Sequence, residues 1–237
     1  MPKRGKRYRG ALETYNKESH YPPAEAVALI KQMATAKFDE TVELHIRTGL
    51  DVRHADQQLR GTARLPHGLG KEVRVAVFAE GDAASAATEA GAEIVGSDDL
   101  IERVQDGFTE FDVAVAQRDL MGKVGRLGRV LGPRGLMPNP RAGTVVDRDD
   151  VAKAVGEAKA GRVEFRTDRE ASVHVPLGKA SFGEDQLLEN LATMVSEIVK
   201  ARPSGSKGSY IRSLNIASTM GPGVKLEQQS TLALKVD

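Results

Sequence analysis

Apolar positions along the chain recur with two periods, and each change of period marks a change of element. Residues 3–17 form a basic arm expected to be helical. Pro22-Pro23 opens a predicted helix running to about residue 35, with Val27, Ile30 and Ala34 on one face and Glu25 in the first turn. The next stretch, KFDETVELHIRTGLD, alternates cleanly. Val42, Leu44 and Ile46 point one way and Thr41, Glu43, His45 and Arg47 the other, which predicts a half-buried strand with a polar outer face. RGTARLPHGLG, residues 60–70, reads as a run of turn residues.

From residue 71 the pattern becomes strand, helix, strand, helix, strand. VRVAVFA, AEIV and FDVAVA are apolar runs separated by an Ala-rich helix that Asp82 can cap and by DDLIERVQ, capped by Ser97 or Asp98. Apolar strands alternating with helices predict a small parallel sheet with right-handed crossovers. A further helix, DDVAKAVGEAKAG, ends at Gly161. Beyond it RVEFRT and ASVHVPL read as paired antiparallel strands joined by Asp168-Arg169-Glu170. A long amphipathic helix follows over 184–201, with Leu187, Leu188, Leu191, Met194, Val195 and Ile198 on one stripe, and Pro203 and a GSKG loop end it. YIRSLNIAST is a strand, MGPG a turn, and VKLEQQSTLALKV a last strand segment.

The segments before residue 70 carry too few strands for an independently stable sheet, and those after 160 share their character. The expected fold is α/β and α+β. Both chain ends, residues 1–69 and 161–237, form a split α+β domain, and a Rossmann-like three-layer α/β domain, residues 70–160, is inserted between them. Glycine-containing crossings near 66–71 and 158–162 connect the two.

Composition narrows the function. Hydrophobic residues at 40% with 28% charged describe a folded chain, not a disordered one. No apolar run approaches the ~20 residues a membrane span needs, and no apolar segment follows the basic N-terminus as in a secretory signal. The lack of cysteine excludes disulfides and thiolate metal sites and points to the cytosol. His20, His45, His54, His67 and His174 show no metal-ligand spacing and are expected to be ordinary strand or turn residues, so no metal or other cofactor is expected. With no Trp, 6 Phe and 4 Tyr, a stacking platform for single-stranded bases is disfavoured.

Net charge is only +1, but its distribution is uneven. Between 118 and 141 lie Arg118, Lys123, Arg126, Arg129, Arg134 and Arg141 against the single acid Asp119, interleaved with glycines and prolines. Such a stretch is expected to be an extended loop offering cations and bare amides to phosphate, leaving the third parallel strand at the edge where such sheets bind ligands. Between 80 and 112 the balance is reversed, with Arg103 the one cation among ten acids. Nucleotide-binding signatures are absent: the first strand–helix turn reads FAEGDAAS, Gly68-Leu69-Gly70 precedes a strand, and there is no P-loop. An enzyme binding a nucleotide in the middle domain, with the Gly/Arg loop as a lid, is therefore a weaker alternative, as is a scaffold that binds no nucleic acid. Glu43, an outward acid beside Phe38, suits acceptance from a base amino group or a ribose hydroxyl. Met220, at the tip of the Thr219-Met220-Gly221-Pro222-Gly223 turn, offers an adaptable apolar contact.

Together KFDETVEL, GRLGRVLGPRGLMPNPRAGTV and STMGPGV resemble the family of bacterial large-subunit ribosomal protein one, the stalk protein, and the resemblance runs through the chain from PKRGKRYR onward. It implies a split α+β domain with a Rossmann-like insertion. It also implies a non-enzymatic, cytoplasmic ribosome component that binds ribosomal RNA of the mobile stalk and assists release of exit-site tRNA. Repression of translation through its own operon mRNA and a monomeric state outside the ribosome are implied as well. Matched motif by motif, the resemblance assigns RNA binding to Lys37, Phe38, Thr41, Glu43, Arg166, Ser213, Thr219, Met220 and Gly221. Lys123, Arg126, Arg129 and Arg134 become a secondary electrostatic contact, and Arg53 and Arg60 are tRNA candidates by charge and position. The tail after Val224 has no implied role.

Overall fold

A computed structural model describes residues 5–206 and 208–234, the side chain of Arg141 excepted. Lys3 and Arg4 of the basic arm, Lys207 of the GSKG loop, the last two residues of the predicted final strand and Asp237 lie outside the described residues. The elements begin with helices α1 (Lys6–Glu13) and α2 (Pro23–Met33) and strands β1 (Thr41–Thr48) and β2 (Arg60–Arg64). There follow β3 (Val75–Phe78), α3 (Asp82–Glu89), β4 (Ile94–Gly96), α4 (Asp98–Gln105) and β5 (Val113–Gln117). Next come short helices α5 (Met121–Val124) and α6 (Gly128–Leu131), then β6 (Val145–Val146), α7 (Val151–Lys159) and β7 (Arg162–Arg166). The chain closes with β8 (Ser172–Lys179), α8 (Glu184–Lys200), β9 (Ile211–Ser218), β10 (Val224–Lys225) and α9 (Gln228–Leu232). Two compact units result, one from residues up to Gly70 and from Val163 onward, the other Lys71–Arg162.

In the split unit an antiparallel sheet runs in the order β10-β9-β1-β8, so the central strand comes from the first part of the chain and its neighbours from the last. Alternation along β1 turns Val42, Leu44 and Ile46 inward. There they meet Val173, Val175 and Leu177 of β8 and Leu214 and Ile216 of β9 in one core. Helices α2 and α8 complete that core with Val27, Ile30, Leu187, Leu191, Met194 and Ile198. Buried Asn190 of α8 donates to the carbonyls of Gly68 and Leu177 at 3.1 and 2.7 Å and accepts the His67 amide at 3.2 Å.

Three expectations change here. Residues 60–64 form β2, paired with β7 in a separate two-stranded sheet, because Ala63, Val163 and Phe165 are apolar enough to reach the core. RVEFRT and ASVHVPL are therefore not a hairpin: β8 pairs with β1, and a single bridge, Thr167 to Val173, joins the two segments. The chain after Val224 leaves the sheet after two residues and turns into α9, whose Thr231 is buried.

The inserted unit carries a parallel sheet in the order β4-β3-β5-β6, covered on both faces, so the three-layer expectation holds. Ala76, Phe78, Ala114 and Ala116 face α4 and the Gly/Arg stretch, while Val75, Val77 and Val115 face α3 and α7. The two-residue β6 was not foreseen. Helix α3 starts at Asp82, with Gly81 before it at φ +60°, a left-handed conformation that favours glycine; Asp82 makes no cap bond. Ser97 stands at the cap position of α4 but does not bond through its side chain, and the Asp99 carboxylate accepts the Ser97 amide instead.

The Gly/Arg stretch departs most from its sequence reading. Residues 118–131 coil through α5, α6 and intervening 3-10 turns, so most of their amides are not bare. Leu120, Val124, Leu127 and Leu131 are buried at regular spacing. Burying four such side chains is worth about 6–12 kcal/mol, against about 1 kcal/mol lost per helical glycine. Burial wins.

Candidate nucleic-acid interface

One end of β1 meets the turn after β9, and a buried carboxylate fixes the junction. Glu40 precedes β1 on the same inward face as Val42 and is 2% exposed. Its Oε1 accepts the Ala36 amide at 2.8 Å and its Oε2 the Met220 amide at 2.9 Å. Burial alone would push this carboxyl up, but those two amides and the charge of Arg7 hold it below its usual range. Thr219 adds a second clamp: its amide donates to the Thr41 carbonyl at 3.0 Å, and its Oγ1 accepts the Thr41 amide at 2.9 Å.

The consequence is an edge with two exposed apolar tips. Phe38 is 54% and Met220 55% exposed, and the segments carrying them are tied to the two oxygens of one carboxylate. Gly221 follows, and a Cβ there would come within 2.5 Å of Ser218 Oγ, so a larger residue must displace that hydroxyl or the turn. Lys179 of β8 reaches the Thr41 hydroxyl at 2.9 Å, and Asp39 is pinned by the Ser181 hydroxyl at 2.7 Å. A water-sized cleft of about 20 Å³ lies behind Met220 and Gly221, bordered by Arg7, Tyr8 and Met33. Arg7 donates to the Thr35 carbonyl at 3.0 Å, which ties α1 to the same corner.

Glu43 continues the outer face of β1, opposite Ala217 of β9 and Pro176 of β8. Lys37, exposed, stands beside Phe38. Thus the structure brings Lys37, Phe38, Thr41, Glu43, Thr219, Met220 and Gly221 together. Ser213 pairs with Arg47, roughly 20 Å along β1 from Thr41 at the usual rise per residue. Exposed Arg166 is in β7, beside Thr167, whose bridge to Val173 is also at that far end. These two lie on or beside the same sheet but not in the same cluster. Arg53 lies in the turn after β1, and Arg60 is engaged by Glu164 at 2.6 Å.

In the inserted unit Lys123 is bound to Asp98 at 2.9 Å and lies 3.7 Å from Glu80, and hydrogen bonding to Asp98 pushes its ammonium up. Arg134 donates to the Thr109 hydroxyl. Arg126 and Arg129 are exposed, with no side-chain hydrogen bond or ion pair to either among the described residues. The strand ends of the parallel sheet carry Glu80, Asp98 and Asp119, a poor setting for a phosphate.

Two features escaped the sequence reading. Glu40 was signalled, being an acid at an inward position in the alternation of β1. The facing of His45 and His174 was not, since 129 residues separate them.

Residues 30–222 match the model of the ribosomal protein L1p/L10e family. The chain is 54% identical over 237 residues to large ribosomal subunit protein uL1 of Chloroflexus aggregans, covering 100% of both chains. It is 53% identical over 234 residues to the uL1 of Dehalococcoides mccartyi strain BAV1, covering 99% of each.

Proposed function

The chain belongs to the ribosomal protein L1p/L10e family, and from that premise we propose that it grips a folded RNA at the Phe38–Met220 edge. It is a structural, ribosomal-RNA-binding component of the large ribosomal subunit and not an enzyme. The RNA is that of the mobile stalk, and the protein works in the cytoplasm on the ribosome, assisting release of exit-site tRNA. Outside the ribosome, as a monomer, it binds its own operon mRNA and represses translation. No helix among the described residues is long and apolar enough to cross a membrane.

The observation that carries this reading is the pair of exposed apolar tips held apart from any core by Glu40. Large exposed side chains on a rigid edge are suited to pack against a sugar–base surface, while Thr41, Glu43 and Thr219 supply hydrogen-bonding groups. Arg126 and Arg129 add phosphate contacts that raise affinity without reading sequence.

Met220→Asp tests it. A carboxylate set against RNA is expected to weaken binding to a stalk RNA fragment on the order of 100-fold, with the far-UV circular dichroism unchanged. Equal affinity of variant and wild type in a filter-binding assay removes the edge from the interface.

A further inference from the structure

His45 of β1 and His174 of β8 stand opposite each other on the outer face of the sheet, their rings 5.0 Å apart and their Nδ1 atoms 2.7 Å apart. Beyond them, His45 Nε2 faces Glu43 Oε2 at 3.8 Å and His174 Nε2 faces Asp168 Oδ2 at 3.3 Å. A row of carboxylate, imidazole, imidazole and carboxylate therefore crosses the face that begins at Thr41.

An Nδ1-to-Nδ1 contact of this length needs one nitrogen to donate and the other to accept. In the neutral pair His45 Nδ1–H donates to His174, and His174 Nε2–H meets Asp168. His45 Nε2 is then left bare before Glu43. One further proton fits there, giving a singly charged pair. A second added proton would set two N–H groups head to head and break the contact. The cluster is thus a one-proton site.

We propose that the His45–His174 pair is a further RNA-contacting position of this sheet, taking up one proton when the phosphodiester backbone closes over the face. The proposal rests on the RNA-binding reading above. Without the added proton, the nearest charges are the carboxylates of Glu43 and Asp168, which oppose a polyanion. Among the described residues no cation contacts either ring. Lys179 is bound to Thr41, Lys225 of β10 to Glu18 at 3.0 Å, and Arg47 lies two residues along the strand. The residues of β9 on this face, Ser213, Asn215 and Ala217, carry no charge. Burial and the neighbouring His174 push the His45 imidazole down, with Glu43 opposing, which favours its neutral form in the free protein. RNA phosphate favours the charged form, and by reciprocity the proton favours RNA.

The test compares wild type, His174→Gln and the double variant His45→Gln/His174→Gln. Binding of a stalk RNA fragment is measured at fixed salt from about pH 8 to about pH 6, the histidine range. Calorimetry in two buffers of different ionisation enthalpy counts the protons taken up. Wild-type affinity is expected to rise as pH falls, by at most about tenfold per pH unit as one-proton linkage allows. The double variant is expected to lose most of that rise and of the proton uptake, whereas His174→Gln keeps the His45 Nε2 that takes the proton before Glu43 and is expected to lose less of either. His20, His54 and His67 and the RNA bases remain in every arm as internal controls. Proton uptake identical in wild type and the folded double variant overturns the proposal while leaving the RNA-binding reading intact. Failure of wild type to bind the RNA at any pH overturns both.

Discussion

The Met220 amide donates to Glu40 Oε2 at 2.9 Å across 180 residues of chain, and the other oxygen of the same carboxylate takes the Ala36 amide. One buried acid thus sets the spacing of the two exposed tips.

Glu40→Gln is expected to destabilise the split unit by about 1–3 kcal/mol, because a carboxamide accepts at one oxygen only and turns N–H toward the other amide. The pH dependence follows from the sign of the shift. A carboxyl held below its ordinary 4.5 stabilises the fold above that value and loses the contribution as pH falls through its folded value. Urea midpoints of wild type and variant should therefore differ at neutral pH and converge in acid. A gap that does not change with pH would show that Glu40 is not held ionised.

Gly221→Ala is expected to weaken RNA binding with little loss of stability. The added Cβ comes within 2.5 Å of Ser218 Oγ, and relieving it swings that hydroxyl aside or shifts the turn that carries Met220. Affinity for the stalk RNA and the thermal midpoint, measured side by side, check this. A thermal midpoint lowered by more than the affinity change would place Gly221 in the fold, not the interface.

Arg126→Ala is expected to lower the slope of log affinity against log salt by about 1, since one phosphate contact is removed. Lys123→Ala is expected to change it less, because Asp98 and Glu80 already neutralise that ammonium. Equal slopes for Arg126→Ala and wild type would remove this stretch from the RNA contact.

Asn190→Leu is expected to cost roughly 2–4 kcal/mol, stranding the buried carbonyl of Leu177 and two further groups at Gly68 and His67. Denaturant unfolding monitored by circular dichroism measures it, and a cost below about 1 kcal/mol would mean that water replaces the side chain.

Much of this was legible because periodicity is a local property. The faces of β1 and α8, the alternation of parallel strands with helices, and the motifs around Phe38, the Gly/Arg stretch and Met220 all lie within short windows of chain. The split α+β fold with its Rossmann-like insertion followed from them and holds. Where local composition misled, burial overrode it. Glycine and proline suggested an open loop over 118–141, yet Leu120, Val124, Leu127 and Leu131 coil its first part against the sheet. RVEFRT and ASVHVPL looked like a hairpin, yet β1 and β2 arrive to claim one strand each.

By itself, then, the sequence determined the inward faces of β1 and α8, the alternation of parallel strands with helices in the inserted unit, and the family to which the chain belongs. Only the tertiary structure decided which distant atoms meet: Met220 on Glu40, Thr219 on Thr41, His174 on His45. The division has a physical cause. Side-chain period is fixed by backbone geometry residue by residue, whereas strand pairing and shared hydrogen bonds depend on chain closure over more than a hundred residues, which no local pattern encodes.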